Sequence, residues 1–269
     1  MPCAVASSSA LASGTRTNST VTAPSGIADG DILVYGMEIG GAAGGPTATP
    51  PTGFAAPTGI PVAWSGSGIG DSYGLRIYFW TKKADSESGN YTATHASGDT
   101  TAFMWRITGG DQTTWVDQAA TTQSHNGGGS GHNVIDAPTL TPTVDGCALL
   151  WIGVSWDAFG AATPTTGWTE RRNVTTEVLY AQDLIQTTAA ATGTISVTST
   201  QGGDRPEGAA MLAIRASAGA AAPGASALNA RIPHNRVGPM ALRQNYRRPA
   251  YPFDKTIATT GNRRRRVLC

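Results

Sequence analysis

Two histidines flank a glycine-rich stretch near the middle of the chain, and they are the first candidates for metal chemistry. His125 and His132 bracket the run Asn126-Gly127-Gly128-Gly129-Ser130-Gly131. A zinc site needs three or four ligands, and no cysteine or second histidine pair lies near this stretch. No Gly-Lys-Ser/Thr follows, so the run does not fit a phosphate-binding loop either. We therefore interpret residues 124–132 as a flexible loop and expect neither a metal nor a cofactor.

Carboxylates are the next candidates for catalytic residues, because a pair of them across a cleft can act as general acid and general base. Most of the aspartates flank a glycine, where the side chain accepts a hydrogen bond and stabilises a turn. The aspartates considered are Asp29, Asp31, Asp111, Asp117, Asp145 and Asp204, and all but Asp117 lie next to a glycine. No set of serine, histidine and aspartate stands out. We expect turn-forming rather than catalytic carboxylates, and a protein that is not an enzyme.

Four tryptophans lie near predicted loops, where sugar-binding β-sandwiches place stacking platforms. They are Trp64, Trp115, Trp156 and Trp168. Phe54 and Trp168, however, each follow a threonine and glycine at matching places in the two halves of the chain, which fits a packing role at the start of a strand. Packing is the favoured interpretation, and glycan binding through the loop tryptophans is the alternative.

The strongest segregation of charge separates the last fifty residues from the rest. Residues 1–219 carry nine basic and 17 acidic side chains, a net charge of −8, whereas residues 220–269 carry ten basic and one acidic, a net charge of +9. Four prolines between Pro233 and Pro252 exclude a continuous helix or a central strand there. This segment cannot form a core of its own, so we interpret it as an arm that becomes ordered on another surface.

Arginines alternate with apolar and aromatic anchors along the arm, a pattern that suits a groove between protein subunits. The predicted partner-binding residues are Arg231, Arg236, Leu242, Arg243, Tyr246, Arg247, Arg248, Tyr251, Phe253, Arg263, Arg264, Arg265 and Arg266. An acidic protein surface would complement them, including the body of a second copy. Two alternatives stay open: phosphate contacts with nucleic acid through the four consecutive arginines, and a disordered solubilising tail.

The elements that precede the arm follow a repeated pattern, with halves at about 20–109 and 136–215. Asp29-Gly30, an apolar run from Ile32 to Met37, and Pro51-Thr52-Gly53-Phe54 occur in order in the first half. The second half repeats them as Asp145-Gly146, an apolar run from Ala148 to Val154, and Pro164-Thr165-Thr166-Gly167-Trp168. Such self-similarity predicts that both halves fold alike.

The repeat predicts an all-β protein, a jelly-roll-like β-sandwich built from two similar halves. Residues 91–95 and 195–198 alternate apolar and polar side chains, as strands with one wet face do, while the longer apolar runs fit central strands. We predict a sandwich over 1–217, a linker over 218–230 and a basic extended arm over 231–269. A single double sheet is favoured over two separate small sandwiches, because a lone half would expose strand edges.

Bulk composition agrees with this interpretation. Charged residues make up only 14% of the chain and glycine is abundant, which suits short strands and tight turns. The three cysteines, Cys3, Cys147 and Cys269, are too scattered for a disulfide framework, so we expect maturation in a reducing cytoplasm. The first 14 residues lack the charged and apolar regions of a signal peptide, and we expect neither secretion by that route nor membrane insertion.

The order of these signals from Thr20 to Arg215 resembles domains encoded by tailed bacteriophages and prophages. The carrying segments are Thr20-Val21-Thr22, Asp29-Gly30-Asp31, Pro50-Pro51-Thr52-Gly53-Phe54, Arg76-Ile77-Tyr78-Phe79-Trp80 and Gly89-Asn90-Tyr91-Thr92. The resemblance implies a virion structural protein without catalytic residues, assembled in the bacterial host cytoplasm. We expect a capsid decoration, head-fibre or related minor virion subunit that binds other virion proteins and copies of itself. The alternative is a tail-associated adhesin that binds a host glycan.

Overall fold

The computed structural model describes residues 1–42, 46–57, 66–67, 73–125, 134–155, 159–199 and 207–218. All regular structure in these ranges is β-strand, and neighbouring strands pair antiparallel. The predicted all-β sandwich built from two similar halves is confirmed. The predicted arm, from residue 231 onward, lies outside the described residues.

The first half forms one main sheet. Its strands are β1 (Ala4–Thr22), β2 (Ile32–Ala42), β3 (Ala48–Thr49), β4 (Gly66–Ser67), β5 (Tyr73–Lys83) and β6 (Asn90–Thr108). Their order in the first main sheet is β1-β6-β2-β5-β4, and β3 pairs with the beginning of β6. The C-terminal part of β1 and the N-terminal part of β6 therefore extend past the main sheet, and with β3 they form a small layer.

The second half repeats this arrangement. Its strands are β7 (Val116–His125), β8 (Val134–Ala137), β9 (Cys147–Ser155), β10 (Ala162–Thr163), β11 (Thr169–Arg172), β12 (Leu179–Gln186), β13 (Ile195–Ser199) and β14 (Glu207–Ile214). The second main sheet has the order β11-β12-β9-β14-β7, and a small sheet has the order β10-β13-β8. The first main sheet, taken in the order β4-β5-β2-β6-β1, matches the second strand by strand. Thus β2 corresponds to β9, β5 to β12 and β6 to β14.

The register of the central strands defines twin positions in the two halves. Val34 of β2 lies opposite Trp105 of β6, and Leu150 of β9 lies opposite Leu212 of β14. Counting along each strand from these pairs makes Gly36 the twin of Ile152, Glu38 the twin of Val154, and Asp31 the twin of Cys147. The predicted repeat is thus a repeat of topology and register.

Three buried clusters show that the molecule has four β layers. One cluster lies between the first main sheet and its small layer and includes Tyr35, Trp80 and Tyr91. Another lies between the second main sheet and its small sheet and includes Trp151 and Val197. The largest joins the two main sheets, and we call it the shared core; Val34, Trp105, Leu150, Ile152 and Leu212 belong to it.

The four layers explain the continuous apolar runs. Side chains of β2 and β9 point alternately into their own half's cluster and into the shared core, so both faces of each strand need apolar residues. The halves are therefore neither one simple double sheet nor two separate sandwiches, because each has its own core and both contribute to a third.

Matching turns hold the matching strands. Phe54 and Trp168 each donate a backbone N–H to the carbonyl three residues earlier, at 3.0 and 2.9 Å. The preceding Gly53 and Gly167 have φ of 81° and 86°, which is the conformation that a type II turn needs at its third residue. Both aromatic rings are buried in the cluster of their own half. The predicted packing role of Trp168 is confirmed.

Candidate functional site

The predicted partner-binding residues, from Arg231 to Arg266, all lie outside the described residues. The structure does describe how the body ends before them. Ala216 is buried and bridges to Gly110, and the backbone N–H of Ser217 donates to the carbonyl of Gly109 at 2.8 Å. The amino group of Met1 donates to the carbonyl of Ser217 at 2.9 Å. Residues 216–217 are therefore fixed at the same end of the sandwich as residue 1.

This end of the sandwich is rich in aspartate, and we call it the acidic end. Asp29 precedes β2, Asp85 follows β5, Asp111 follows β6 and Asp145 precedes β9; the antiparallel order brings these strand ends together. Asp29, Asp85 and Asp145 are exposed. The cations at this end include Lys83 and the amino terminus.

Most of the aspartates also shape turns, as the sequence predicted. Asp29 accepts from the backbone N–H of Ser86 at 2.7 Å and Asp145 from that of Ala189 at 2.6 Å. Hydrogen bonds from the backbone of Thr114 and Thr113 lower the pKa of Asp111 to about 2. Asp111 thus stays ionised at physiological pH, and the carboxylates of the acidic end keep the turns in place.

The basic side chains of the body are largely engaged within it. At least five of the eight described lysines and arginines form ion pairs with carboxylates of the body, namely Lys82–Glu87, Arg106–Asp31, Arg171–Asp183, Arg172–Glu177 and Arg215–Asp117. The carboxylates of the acidic end are not among these partners. Most of the described cations of the body are therefore paired within it, while Asp29, Asp85 and Asp145 are exposed.

Trp115 lies beside a separate cavity of about 410 Å³ that Thr113, Thr114 and Gln118 also line. The indole is partly buried against the shared core, and its N–H donates to the Thr81 hydroxyl at 3.0 Å. Trp115 therefore both packs against the shared core and borders a cavity. Trp64 and Trp156 lie outside the described residues.

A serine and a histidine meet in the first half, in a pairing that hydrolases use. The Ser19 hydroxyl lies 3.0 Å from His95 Nε2, and His95 Nδ1 lies 2.8 Å from the carbonyl oxygen of Ala96. Ser19 has no exposed surface and also bonds to the Thr100 hydroxyl at 2.6 Å. A nucleophile must be open to substrate, so this geometry describes a buried hydrogen-bond network between β1 and β6.

The sequence also contains a motif that is typical of serine hydrolases and was not predicted as a candidate site. Residues Gly70-Asp71-Ser72-Tyr73-Gly74 spell Gly-x-Ser-x-Gly. A nucleophile elbow needs a strand before the serine and a helix after it. Here β5 begins at Tyr73, directly after the serine, so the required helix is replaced by a strand. Ser72 itself lies outside the described residues.

The histidine-flanked loop offers no further geometry. His125 ends β7, and residues 126–133 lie outside the described residues. Among the described residues, no three His, Cys, Asp or Glu side chains are grouped so as to hold a metal ion. None of the described ranges forms a helix with the length and apolar character that a membrane span requires.

Comparisons with protein-family models, with curated proteins and with solved structures find no significant match to this chain.

Proposed function

We propose that the chain is a structural subunit of a phage-type virion, a capsid decoration, head-fibre or related minor subunit. In this proposal the four-layer body forms the rigid part, and the basic arm fastens it to neighbouring virion proteins. The observation that carries the proposal is the division of charge: the body pairs most of its described cations internally and exposes aspartates, while the arm has a net charge of +9.

The division of charge suits an assembly role for a physical reason. A basic, proline-interrupted segment gains little by folding alone, but it gains charge-assisted hydrogen bonds and apolar contacts on an acidic neighbour. Exposed aspartates at the acidic end make the body of a second copy, or another acidic virion protein, a suitable neighbour. The body meanwhile has three buried clusters and needs no partner for its core.

The test is incorporation into particles. We expect a chain that lacks residues 220–269 to remain a soluble, folded body and to be absent from purified particles. Replacement of Arg243, Arg247 and Arg248 by glutamine should give the same loss with the arm retained. The matched control is Lys83→Gln, which removes an exposed cation of the body and should leave incorporation unchanged. Incorporation of the truncated chain at wild-type stoichiometry would refute the proposal.

A second candidate function, a tail-associated adhesin for a host glycan, is favoured by the cavity beside Trp115. An aromatic ring next to threonine hydroxyls and a glutamine amide is the kind of surface that binds sugars. For an adhesin, Trp115→Ala should abolish adsorption to host cells and leave incorporation intact. Wild-type adsorption by this variant would remove the adhesin from consideration.

A further inference from the structure

A second cavity lies in the shared core, at the end opposite the acidic end. It measures about 210 Å³ and lies between the two main sheets. Its lining comes from β1, β2, β5, β6 and the residue before β12, namely Ser13, Gly14, Glu38, Gly40, Leu75, Asp99 and Val178. Gly40, which has no side chain, leaves room in the cavity next to the two carboxylates.

Glu38 is the unusual residue of this cavity. It is 1% exposed, and its Oε2 atom has no hydrogen-bond partner among the described residues. Burial raises the pKa of Glu38 well above its ordinary value; a hydrogen bond from the Thr101 backbone lowers it, and the nearby Asp99 carboxylate raises it. A buried carboxylate without a counter-charge is destabilising when it is ionised, because the charged form loses its hydration.

The second half shows that the fold does not require this carboxylate. The twin of Glu38 is Val154, which is fully buried in the shared core. The cross-strand neighbours differ in the same way, since Glu38 lies opposite Thr101 and Val154 lies opposite Gly208. An apolar residue thus occupies the equivalent position of the second main sheet. The fold itself does not require a carboxylate at residue 38, so Glu38 is a candidate for a functional role.

Besides the Thr101 backbone N–H, the polar groups near Glu38 and Asp99 are hydroxyl and carboxylate oxygens. The Ser13 hydroxyl bonds to the Thr101 hydroxyl at 2.5 Å, and the Thr15 hydroxyl donates to Asp99. The nearest arginine along β1, Arg16, instead donates to the carbonyls of Ala12 and Gly14, at 2.9 and 3.1 Å. No ion pair joins Arg16 to Glu38 or Asp99 among the described residues.

We propose that this cavity is a binding site for a hard divalent cation, calcium or magnesium, held by the carboxylates of Glu38 and Asp99. Two carboxylates with hydroxyl oxygens close by are the donors that these ions prefer, and water completes their coordination. A divalent ion would balance both negative charges at once. Its carboxylate ligands would come from β2 and β6 of the first main sheet, so the ion would join these two strands at the end opposite the acidic end.

The test uses the full chain, and it does not depend on virion assembly. We expect thermal unfolding of the wild type to shift upward by about 5–10 °C when calcium or magnesium reaches 100 times its Kd. Titration calorimetry should give one ion per chain. Potassium chloride at matched ionic strength should give no comparable shift.

Two variants make the proposal falsifiable even if one folds poorly. Glu38→Gln keeps the shape and removes the charge, while Glu38→Val copies the twin Val154 and should fold well. Both should lose the response to divalent ions. The matched control Asp85→Asn removes an exposed aspartate at the other end and should keep the wild-type shift. Equal shifts in the wild type and both Glu38 variants, or no shift in the wild type, would overturn the site.

Discussion

The two halves of the body share strand order, register and turns, yet the charge and size of the side chains differ at some twin positions. Where the first half has Glu38, the second has Val154; where the first has Gly36, the second has Ile152. What the halves share is what the fold needs. Residues that differ between twin positions are free of that requirement, so they are the better indicators of function or of contact between the halves.

The strands of the small layers differ as well. In the first half, β1 and β6 each run for 19 residues from the main sheet into the small layer, with irregularities in pairing between Leu11 and Gly14 and between Arg16 and Asn18. In the second half the corresponding strands are separate, as β7 and β8 and as β13 and β14. One topology is thus built with bent continuous strands and with interrupted ones, so strand continuity is not essential to it.

The largest expected effect tests whether the shared core makes the halves one folding unit. Trp105 is fully buried there, and Trp105→Ala should lower the free energy of unfolding by about 3–5 kcal/mol. Leu212→Ala, at its twin position, should cost about 2–5 kcal/mol. Both should accelerate amide exchange in β9 as well as in β2, measured by mass spectrometry. Faster exchange confined to the mutated half would show that the halves unfold independently.

A matched control for this experiment is Trp105→Phe. The indole N–H of Trp105 has no acceptor among the described residues, so the ring's bulk matters more than its polar atom. Because phenylalanine keeps part of that bulk, we expect this variant to lose clearly less free energy of unfolding than Trp105→Ala in urea denaturation. A loss as large as that of the alanine variant would assign the indole N–H an unseen role.

The next effect sharpens the comparison between Gly36 and Ile152, which meet across the shared core. A Cβ atom at residue 36 would lie 2.2 Å from Ile152 Cδ1 and 3.2 Å from Trp105 Cζ3. Gly36→Ala should therefore destabilise by about 1–3 kcal/mol. Ile152→Val removes the clashing methyl group, and the double variant should recover part of the loss. Purely additive effects in the double-mutant cycle would mean that the two residues do not limit the spacing of the sheets.

A smaller effect concerns an ion pair that only the first half has. Arg106 Nε donates to Asp31 Oδ2 at 2.6 Å, and the twin positions hold Ala213 and Cys147. Arg106→Ala should cost about 1.5–3 kcal/mol, because Asp31 then loses its counter-charge. The double variant Arg106→Ala, Asp31→Cys copies the second half and should be less damaged than the two single variants together imply, by about 1 kcal/mol in urea denaturation. Additive losses would show that the pair contributes nothing as a pair.

Much of this fold could be predicted because the sequence repeats its turn signals. Gly53 and Gly167 with their following aromatics mark the same turn in each half, and the alternation at 91–95 and 195–198 marks strands with one wet face. The four layers could not be predicted. A continuous apolar run such as Ile32 to Met37 indicates that both faces of the strand are buried, but it does not indicate which sheets cover them. The roles of the acidic end and the arm remain predictions.

The cation site could be found only in the structure. A lone glutamate between Met37 and Ile39 is a weak signal, because a strand at a sheet edge or end often has one. Its significance comes from the second main sheet, which covers it, and from Asp99, which is 61 residues away in sequence and is brought near it by the pairing of β2 with β6. Long-range pairing of this kind leaves no local pattern.

The smallest effect at neutral pH concerns the buried thiols of Cys3 and Cys147. Their influence on the stability of the fold grows as the solution becomes alkaline. Burial raises the pKa of the Cys3 thiol from 9.0 to about 11, and burial also raises that of Cys147. Above pH 9 the unfolded chain therefore releases protons that the folded chain keeps, so the folded state loses stability as pH rises toward 11. Cys3→Ala should flatten this decline between pH 9 and 10, as followed by chemical denaturation at several pH values. The buried tyrosines lower stability in the same direction but ionise in the unfolded chain only around pH 10, which keeps the window specific for thiols. An identical decline in wild type and Cys3→Ala would mean that the Cys3 thiol ionises as readily in the folded body as in the unfolded chain, and that the shared core is open to water where β1 begins.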